Sequence, residues 1–565
     1  MSSPLAIILI GRGPQLVACA NHLLHRKHRV LHLISDCPQA AAWAQKHGVS
    51  RLDPKDDYVA TLSREPFDYL LSVVNHAITP EAVLALPRLG AINYHDSLLP
   101  SYSGFHATTW SILDGQTEHG ITWHRMTKDV DAGAYLLQKS FQVTDQDTAF
   151  TVAARAGELA NRSFLELLKA LEDGSATDSP GQPATHFHRK SERPGFAVLD
   201  WTHPANDLLR MVRALDFGNE DNWLTRAKLL TSTGEFLCVG TAAASPSNSA
   251  APGTIGHVND GAITIEASGG ALTLSGLTTL AGDPVLAEQM ASYGMVHGTM
   301  MPARPTDLEQ AALPFDQEVT KSERFWVRRL QALCIPQLSE LKAHATRGPT
   351  AKVVVPLPPS LHALATNEQQ AMLVAGLAVY AARTNDEVTT VDLPLCISSV
   401  SEELARLYSP TAPVSIQVDA KAPWQALLQH AREELRETAR RGTYAHDVWT
   451  RYASLRNKSA SDRQATIAIA FGNTTPAALP ADVRLLASLS PETNKLELLF
   501  DNHAINALHA ERIGARVVHL MAAAAANPNT TVGTLPIVPE TEQALLLQAF
   551  QQTHCDNVDV SCIHE

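Results

Sequence analysis

The feature that most restricts this chain is its opening. From Leu5 it reads LAIILIGRGPQLVACANHLLHRKHRVLHLIS: an apolar run, a Gly11-x-Gly13 turn, an amphipathic stretch, then a second run of valine, leucine and isoleucine. That order is a βαβ unit, and parallel strands joined by a crossover helix sit in a sheet covered on both faces. Further strand-like runs at Tyr69–Val74 and Ala91–Tyr94, with helical patterns between them, extend the unit to an α/β parallel sheet. The Gly-x-Gly turn lacks the third glycine of a dinucleotide fingerprint and reads as a plain turn.

At 565 residues, and roughly 150 per domain, the chain has room for three to four domains. A hydrophobic share of 45% against 18% charged is that of a globular protein, and it excludes a disordered or fibrous chain. The net charge of −13 provides no whole-chain field for a polyanion. Cys19, Cys37, Cys238, Cys334, Cys396, Cys555 and Cys562 are too scattered for a metal quartet or a disulfide framework, so reduced thiols in a cytoplasmic protein are expected. The start has no basic segment, and its apolar run ends at Gly11, too soon for a signal peptide or membrane span.

The polar stretch from Asp173, DGSATDSPGQPATHF, reads as a linker. After it come a helical pattern over Asp200–Ala214 and short runs, EFLCVG, AITIEA and ALTLSG, which suggest a small β-barrel. A second proline-rich join, MPARPTDLEQAALPFD, precedes Lys321. Beyond it helix-like segments (Asn367–Arg383, Trp424–Arg441, His503–Ala526) alternate with extended ones, giving another α/β module. Domains are therefore expected at 1–175, 190–303 and 320–550. The charged stretch Glu434–Arg441 reads as a solvated helix face.

Chemistry concentrates after Gly90, in GAINYHDSLLPSYSGFHATTWSILDGQTEHGITWHRMTKDVDAGAYLLQ. Asn93 and His95 are two apart on a strand and share one face, at the carboxyl end where open α/β sheets take their ligands. Asp131 follows in a second loop, Val130-Asp131-Ala132-Gly133. A carboxylate beside an imidazole raises its basicity and fixes its orientation, as acyl transfer requires. One histidine among 24 means little; the ordered set Asn-x-His, Ser-Leu-Leu-Pro, Gly, then Asp-Ala-Gly means more.

That set resembles the folate-dependent formyltransferases, which include methionyl-tRNA, glycinamide ribonucleotide and sugar-amine formyltransferases and the formylation domains of peptide synthetases. The likeness covers about residues 5 to 300, with the second region similar to the family's C-terminal oligonucleotide-binding-type barrel. The fold it implies is a Rossmann-like parallel-sheet formyltransferase domain followed by that barrel. The resemblance implies that 10-formyltetrahydrofolate donates a formyl group to an amine, with no metal. It further implies that Asn93 and His95 stabilise the oxyanion and move a proton while Asp131 orients His95. Ser97, Leu98, Leu99 and Pro100, with Thr127, Lys128, Asp129 and Val130, would line the folate pocket.

Many members carry a basic residue near the position of Ser101–Phe105, and this stretch has none, so an anionic acceptor would lack a partner there. The run NYHDSLLPSYSGFHATTW is most similar to peptide-synthetase formylation domains. The region after Phe325-Trp326 resembles the C-terminal half of a peptide-synthetase condensation domain, with VGTLPIVPETEQALLLQAF similar to the linker that follows one. The HHxxxDG motif of a complete condensation domain is missing, since the chain holds no adjacent histidine pair, and His446 and His503 read as ordinary residues.

The expected activity is therefore N-formylation of an amino-acid-derived amine, free or carried by a carrier protein, in nonribosomal peptide or related secondary metabolism. Peptide-synthetase subunits are the expected partners, with no nucleic acid and no membrane. The alternatives are a methionyl-tRNA or sugar-amine formyltransferase, or a synthetase-recruiting interaction protein without activity. Water in place of the amine would give a hydrolase, a family whose extra N-terminal domain is not expected in a chain whose sheet begins at Leu5. Charge speaks against tRNA: residues 201–300 hold nine acidic and four basic side chains, a poor match for phosphates.

Overall fold

The computed structural model describes residues 4–184, 186–247, 250–342, 346–385, 389–397, 399–463, 465–472, 479–480, 483–490 and 494–552. Cys555 and Cys562 lie outside the described residues; Cys19, Cys37, Cys238, Cys334 and Cys396 are free thiols. The chain forms two compact units: Met1–Thr279 with Pro284–Arg304, and Leu280–Asp283 with Pro305–Glu565.

The first unit opens with β1 (Ala6–Gly11), α1 (Gly13–His25), β2 (Arg29–Ile34), α2 (Pro38–His47), β3 (Ser50–Leu52), α3 (Val59–Leu62), β4 (Tyr69–Val73), α4 (Glu81–Leu84) and β5 (Gly90–His95). It continues with β6 (Ser103–Gly104), α5 (Ala107–Leu113), β7 (Glu118–Arg125), β8 (Tyr135–Gln142) and α6 (Ala149–Asp173). Seven strands make one sheet in the order β3-β2-β1-β4-β5-β7-β8. The first five are parallel, as the βαβ reading requires, whereas β7 and β8 are antiparallel, β7 turning back along β5.

Every residue of β1 is buried because the sheet is covered on both faces. Ile7 and Leu9 pack with α1 and α6, and Ile8 and Ile10 with α3 and α4. Each such side chain contributes roughly 1.5–3 kcal/mol of burial. The same alternation sorts β5: Ile92 and Tyr94 join the α1/α6 core, leaving Asn93 and His95 for the other face.

After the linker, which holds the two-residue β9 (Phe187–His188), the helix expected from Asp200 begins later, as α7 (Ala205–Ala214). The expected barrel is two antiparallel sheets. One has β10 (Lys228–Leu230), β11 (Phe236–Cys238) and β16 (Thr278–Thr279); the other has β12 (Thr241–Ser245), β13 (Ile255–Asn259), β14 (Ala262–Ala267) and β15 (Gly270–Ser275). The paired segments β11–β12 and β15–β16 run through both sheets and bend together at Gly240 and Gly276. A Cβ on Gly240 would stand 2.7 Å from the Gly276 carbonyl.

The second unit has α8 (Thr306–Gln331), β17 (Thr350–Pro356), α9 (Pro359–His362), α10 (Thr366–Thr384), β18 (Thr390–Cys396), β19 (Thr411–Gln417) and α11 (Trp424–Arg441). Next come α12 (Val448–Arg451), α13 (Ala453–Arg456), α14 (Ala460–Arg463), β20 (Ala465–Phe471), β21 (Val483–Ser490), β22 (Lys495–Asp501), α15 (Ala507–Ala526) and α16 (Glu540–Gln552). A mixed sheet, β17-β22-β21-β20-β18-β19, packs on a core in which α10 is buried for most of its length.

Three expectations change here. From Thr306 the proline-rich join before Lys321 is helix, the start of α8, with Pro314 inside it: the buried set Ala312, Val319, Trp326 and Leu330 outweighs one lost hydrogen bond. The terminal linker contains helix α16. Glu434 is not on a solvated face; its carboxylate lies 3.1 Å from Arg329 Nη2 and accepts from Ser415 N–H. His446 and His503 each contact a backbone carbonyl, Ala405 and Thr346.

Gly11 has φ +138°, and a Cβ there would stand 1.8 Å from the Val73 carbonyl oxygen. Gly11→Ala is expected to cost about 2–4 kcal/mol, read from the urea midpoint of unfolding.

Candidate functional site

Pairing across the sheet brings the polar residues together. Asn93 on β5 is in register with Ser72 on β4 and with His124 on β7, and His95 is in register with Thr122. Cross-strand partners share a face, so Asn93, His95 and His124 form one polar patch. The loop after β7 then returns Asp131 to that patch, at φ +56°.

Asp131 is the hub. It is 7% exposed, and its Oδ2 accepts from Gly104 N–H at 2.8 Å and from Ser103 Oγ at 3.2 Å. His95 Nδ1 stands 3.7 Å from Oδ2, and His124 Nε2 stands 3.5 Å from Oδ1. Burial opposes ionisation, but the charge of His95 and the Gly104 N–H outweigh it and hold the Asp131 carboxyl well below the usual carboxylate range.

The tautomers follow from the partners. His95 Nε2 faces the Tyr102 carbonyl at 2.9 Å and so carries a hydrogen, leaving Nδ1 toward Asp131. His124 Nδ1 faces the Arg125 carbonyl at 2.9 Å, which leaves Nε2 to accept from Asn93 Nδ2 at 3.1 Å. Asn93 thus has one amide hydrogen held and a second to offer. Ser72 Oγ is buried with no hydrogen-bond partner.

Backbone strain clusters at the same place. Val74, Tyr102, His106 and Asp131 all have positive φ, the first a β-branched residue that normally avoids it. At Gly104 (φ +94°) a Cβ would meet the His188 carbonyl at 2.2 Å, so the chain approaches β9 in a way only glycine allows.

Asn93, His95 and Asp131, named from the sequence, are therefore brought together. The other named residues divide. Ser97 and Leu99 are buried supports: Ser97 Oγ donates to the Ser101 carbonyl, while Leu99 N–H donates to Thr122 Oγ1 and its carbonyl accepts from Gln138. Leu98 and Pro100 are half-buried, and Thr127, Lys128, Asp129 and Val130 are exposed, with Thr127 Oγ1 bonded to the Asp129 carbonyl. His124 escaped the sequence reading; its signal was the odd-even alternation of GITWHR against NYH, visible only once β7 is known to turn back on β5.

The Ser101–Phe105 stretch carries no cation of its own, but Lys190 Nζ lies 6.0 Å from the Phe105 ring centroid and 5.5 Å from that of Trp223. A separate cavity of about 540 Å³ lies between α5, α7 and β12, and none of Asn93, His95, His124 and Asp131 lines it. Among the described residues no helix is long and apolar enough to cross a membrane.

Residues 6–168 match the family model Formyl transferase, and residues 193–293 match Formyl transferase, C-terminal domain. Apart from Leu280–Asp283, both matches fall within the first unit. The methionyl-tRNA formyltransferase of Synechococcus sp. (strain JA-3-3Ab) is 32% identical over 182 residues, 31% of this chain and 56% of that one, so the match spans little more than half of that relative. The methionyl-tRNA formyltransferase of Pseudomonas syringae pv. syringae (strain B728a) is 28% identical over 302 residues, 50% of this chain and 93% of its own. The solved structure of HypX from Aquifex aeolicus with tetrahydrofolic acid is similar over 54% of this chain and 51% of that chain, at 16% identity and a TM-score of 0.38.

Because the Asp131 carboxyl lies below its ordinary value near 3.9, its contribution to stability is present above that pH and is lost as pH falls toward the folded-state value. The urea midpoint of the wild type is expected to fall more steeply between pH 5 and 3 than that of Asp131→Asn. Parallel curves would show that Asp131 does not gain from its surroundings.

Proposed function

We propose that the first unit is a 10-formyltetrahydrofolate-dependent N-formyltransferase and that its acceptor is an amino-acid-derived amine, free or borne by a carrier protein. The observation that carries the chemistry is the convergence of Asn93, His95 and Asp131 on one face of β5, with His124 holding Asn93. The second Asn93 amide hydrogen, left over beside the bond to His124, fits a carbonyl-bearing donor.

When bound, 10-formyltetrahydrofolate supplies the formyl group and leaves as tetrahydrofolate. The chain's own residues do the rest. Asn93 donates its second amide hydrogen toward the formyl oxygen as negative charge gathers there, the site of greatest electrostatic benefit, and His95 joins it as its Nε2–H turns from the Tyr102 carbonyl to the substrate. Asp131 keeps the His95 ring in place and offsets positive charge on it as the proton of the attacking amine passes by way of His95 to the nitrogen of the departing tetrahydrofolate. The loops anchored by Ser97 and Leu99, with Thr127–Val130 opposite, are assigned to the folate side. The carboxyl-terminal unit supports the carrier-bound form of the acceptor: its α/β pattern resembles half a condensation domain, a surface suited to docking peptide-synthetase subunits.

A second reading, formylation of methionyl-tRNA, is favoured by the names of the relatives. The excess of acidic over basic residues across 201–300 weighs against it. Salt-sensitive tRNA binding in a shift assay would revive it.

Incubation with 10-formyltetrahydrofolate and a panel of amines and loaded carrier proteins is expected to give a product heavier by one formyl group. His95→Ala is expected to lower its formation at least ~100-fold. An equally active His95→Ala variant would remove this mechanism. Only a neutral amine has the lone pair to attack, so the rate is expected to rise from acid to mildly alkaline pH; a flat profile from pH 6 to 9 would show that chemistry is not limiting.

A further inference from the structure

Beside the candidate site, the linker makes a second cluster that the formyl chemistry does not use. His186 stands just before the short strand β9 and His188 within it, and their rings meet edge to face with centroids 4.4 Å apart. A turn then reverses the chain, closed by Glu192 N–H on the Arg189 carbonyl at 3.0 Å, and brings Glu192 back beneath both rings. Glu192 Oε1 lies 3.2 Å from His186 Nε2 and 3.1 Å from His188 Nδ1. One ligand atom from each residue lies within 4.8 Å of the other two.

Those spacings have a meaning. A tetrahedral ion bound at 2.0–2.1 Å by imidazole nitrogen and carboxylate oxygen sets its ligand atoms ~3.3 Å apart. Two of the three edges are within about 0.2 Å of that value. The second carboxylate oxygen, Oε2, accepts from Arg189 N–H at 3.1 Å, which turns Oε1 toward the rings and supplies the outer hydrogen bond that oriented metal ligands usually have. His188 is fixed from behind by stacking on Trp110 at 4.6 Å and 11°.

We propose that His186, His188 and Glu192 bind one divalent cation of the zinc type, as a clip that closes the 186–192 turn of the linker on itself. The fourth position is open to water, because the His186 side chain is 60% exposed. The clip acts one backbone step from Asp131: Phe105 N–H donates to the His188 carbonyl at 2.9 Å, and the neighbouring Gly104 N–H donates to Asp131. This site is independent of which acceptor the enzyme formylates, and it takes no part in the transfer itself.

The test is titration of chelator-treated full-length protein with Co2+ alone, followed by visible d–d absorption and calorimetry, with Zn2+ as the displacing ion. The wild type is expected to bind one equivalent with the intense absorption of a tetrahedral centre, and Zn2+ to bleach it. His186→Ala and Glu192→Gln are each expected to weaken binding at least tenfold while retaining the melting temperature of the metal-free wild type. His257→Ala, in the separate His257–His297 ring pair 6.4 Å apart, is expected to change nothing. No tetrahedral absorption in the wild type, or equal loss from His257→Ala, would overturn the proposal and mark any uptake as scattered surface binding.

Discussion

The rest of the first unit depends on one buried carboxylate. Asp131 has little solvent to stabilise its charge, and an isolated ion in such a place would cost several kcal/mol. It is held instead by Ser103 and the Gly104 N–H on β6 and by His95 on β5, with His124 on β7 beside it, so its neighbours come from three parts of the chain. The sheet order is what makes this feasible. Had β7 continued parallel to the first five strands, its residues would not pair with β5 in the register that places His124 against Asn93.

The strained backbone fits the same picture. Tyr102 and Asp131 adopt left-handed conformations, and Gly104 accepts a contact that no side chain would survive. Local cost of this kind persists where surrounding structure over-determines the chain, and here the return is a fixed relation among Asn93, His95 and Asp131. Ser97 and Leu99 belong to this support: their bonds to Ser101, Thr122 and Gln138 hold the loop that supplies the Tyr102 carbonyl to His95.

Much of this was legible in the sequence. The βαβ opening and the strand carrying Asn93 and His95 follow from period, and the distant Asp131 from the ordered motif set and the resemblance it carries. His124 did not, because strand direction is a tertiary property that no local pattern carries. The burial of Ser97 and Leu99 and their bonds within the loop were not legible either, because a motif names loop residues without showing which of them turn inward. The segment before Lys321 failed for another reason: three prolines and polar neighbours suggest a linker, yet burial of Trp326 and Leu330 along α8 sustains a helix through Pro314.

Whether the carboxylate hub serves chemistry or only the fold is decided most directly by Asp131→Asn, which keeps the shape and removes the charge. Tetrahydrofolate binding by calorimetry and formyl transfer in a single turnover should be measured on the same folded sample. Binding within about threefold of wild type together with transfer slowed ~10²- to 10⁴-fold is the predicted result. Transfer within a few-fold of wild type would contradict the account.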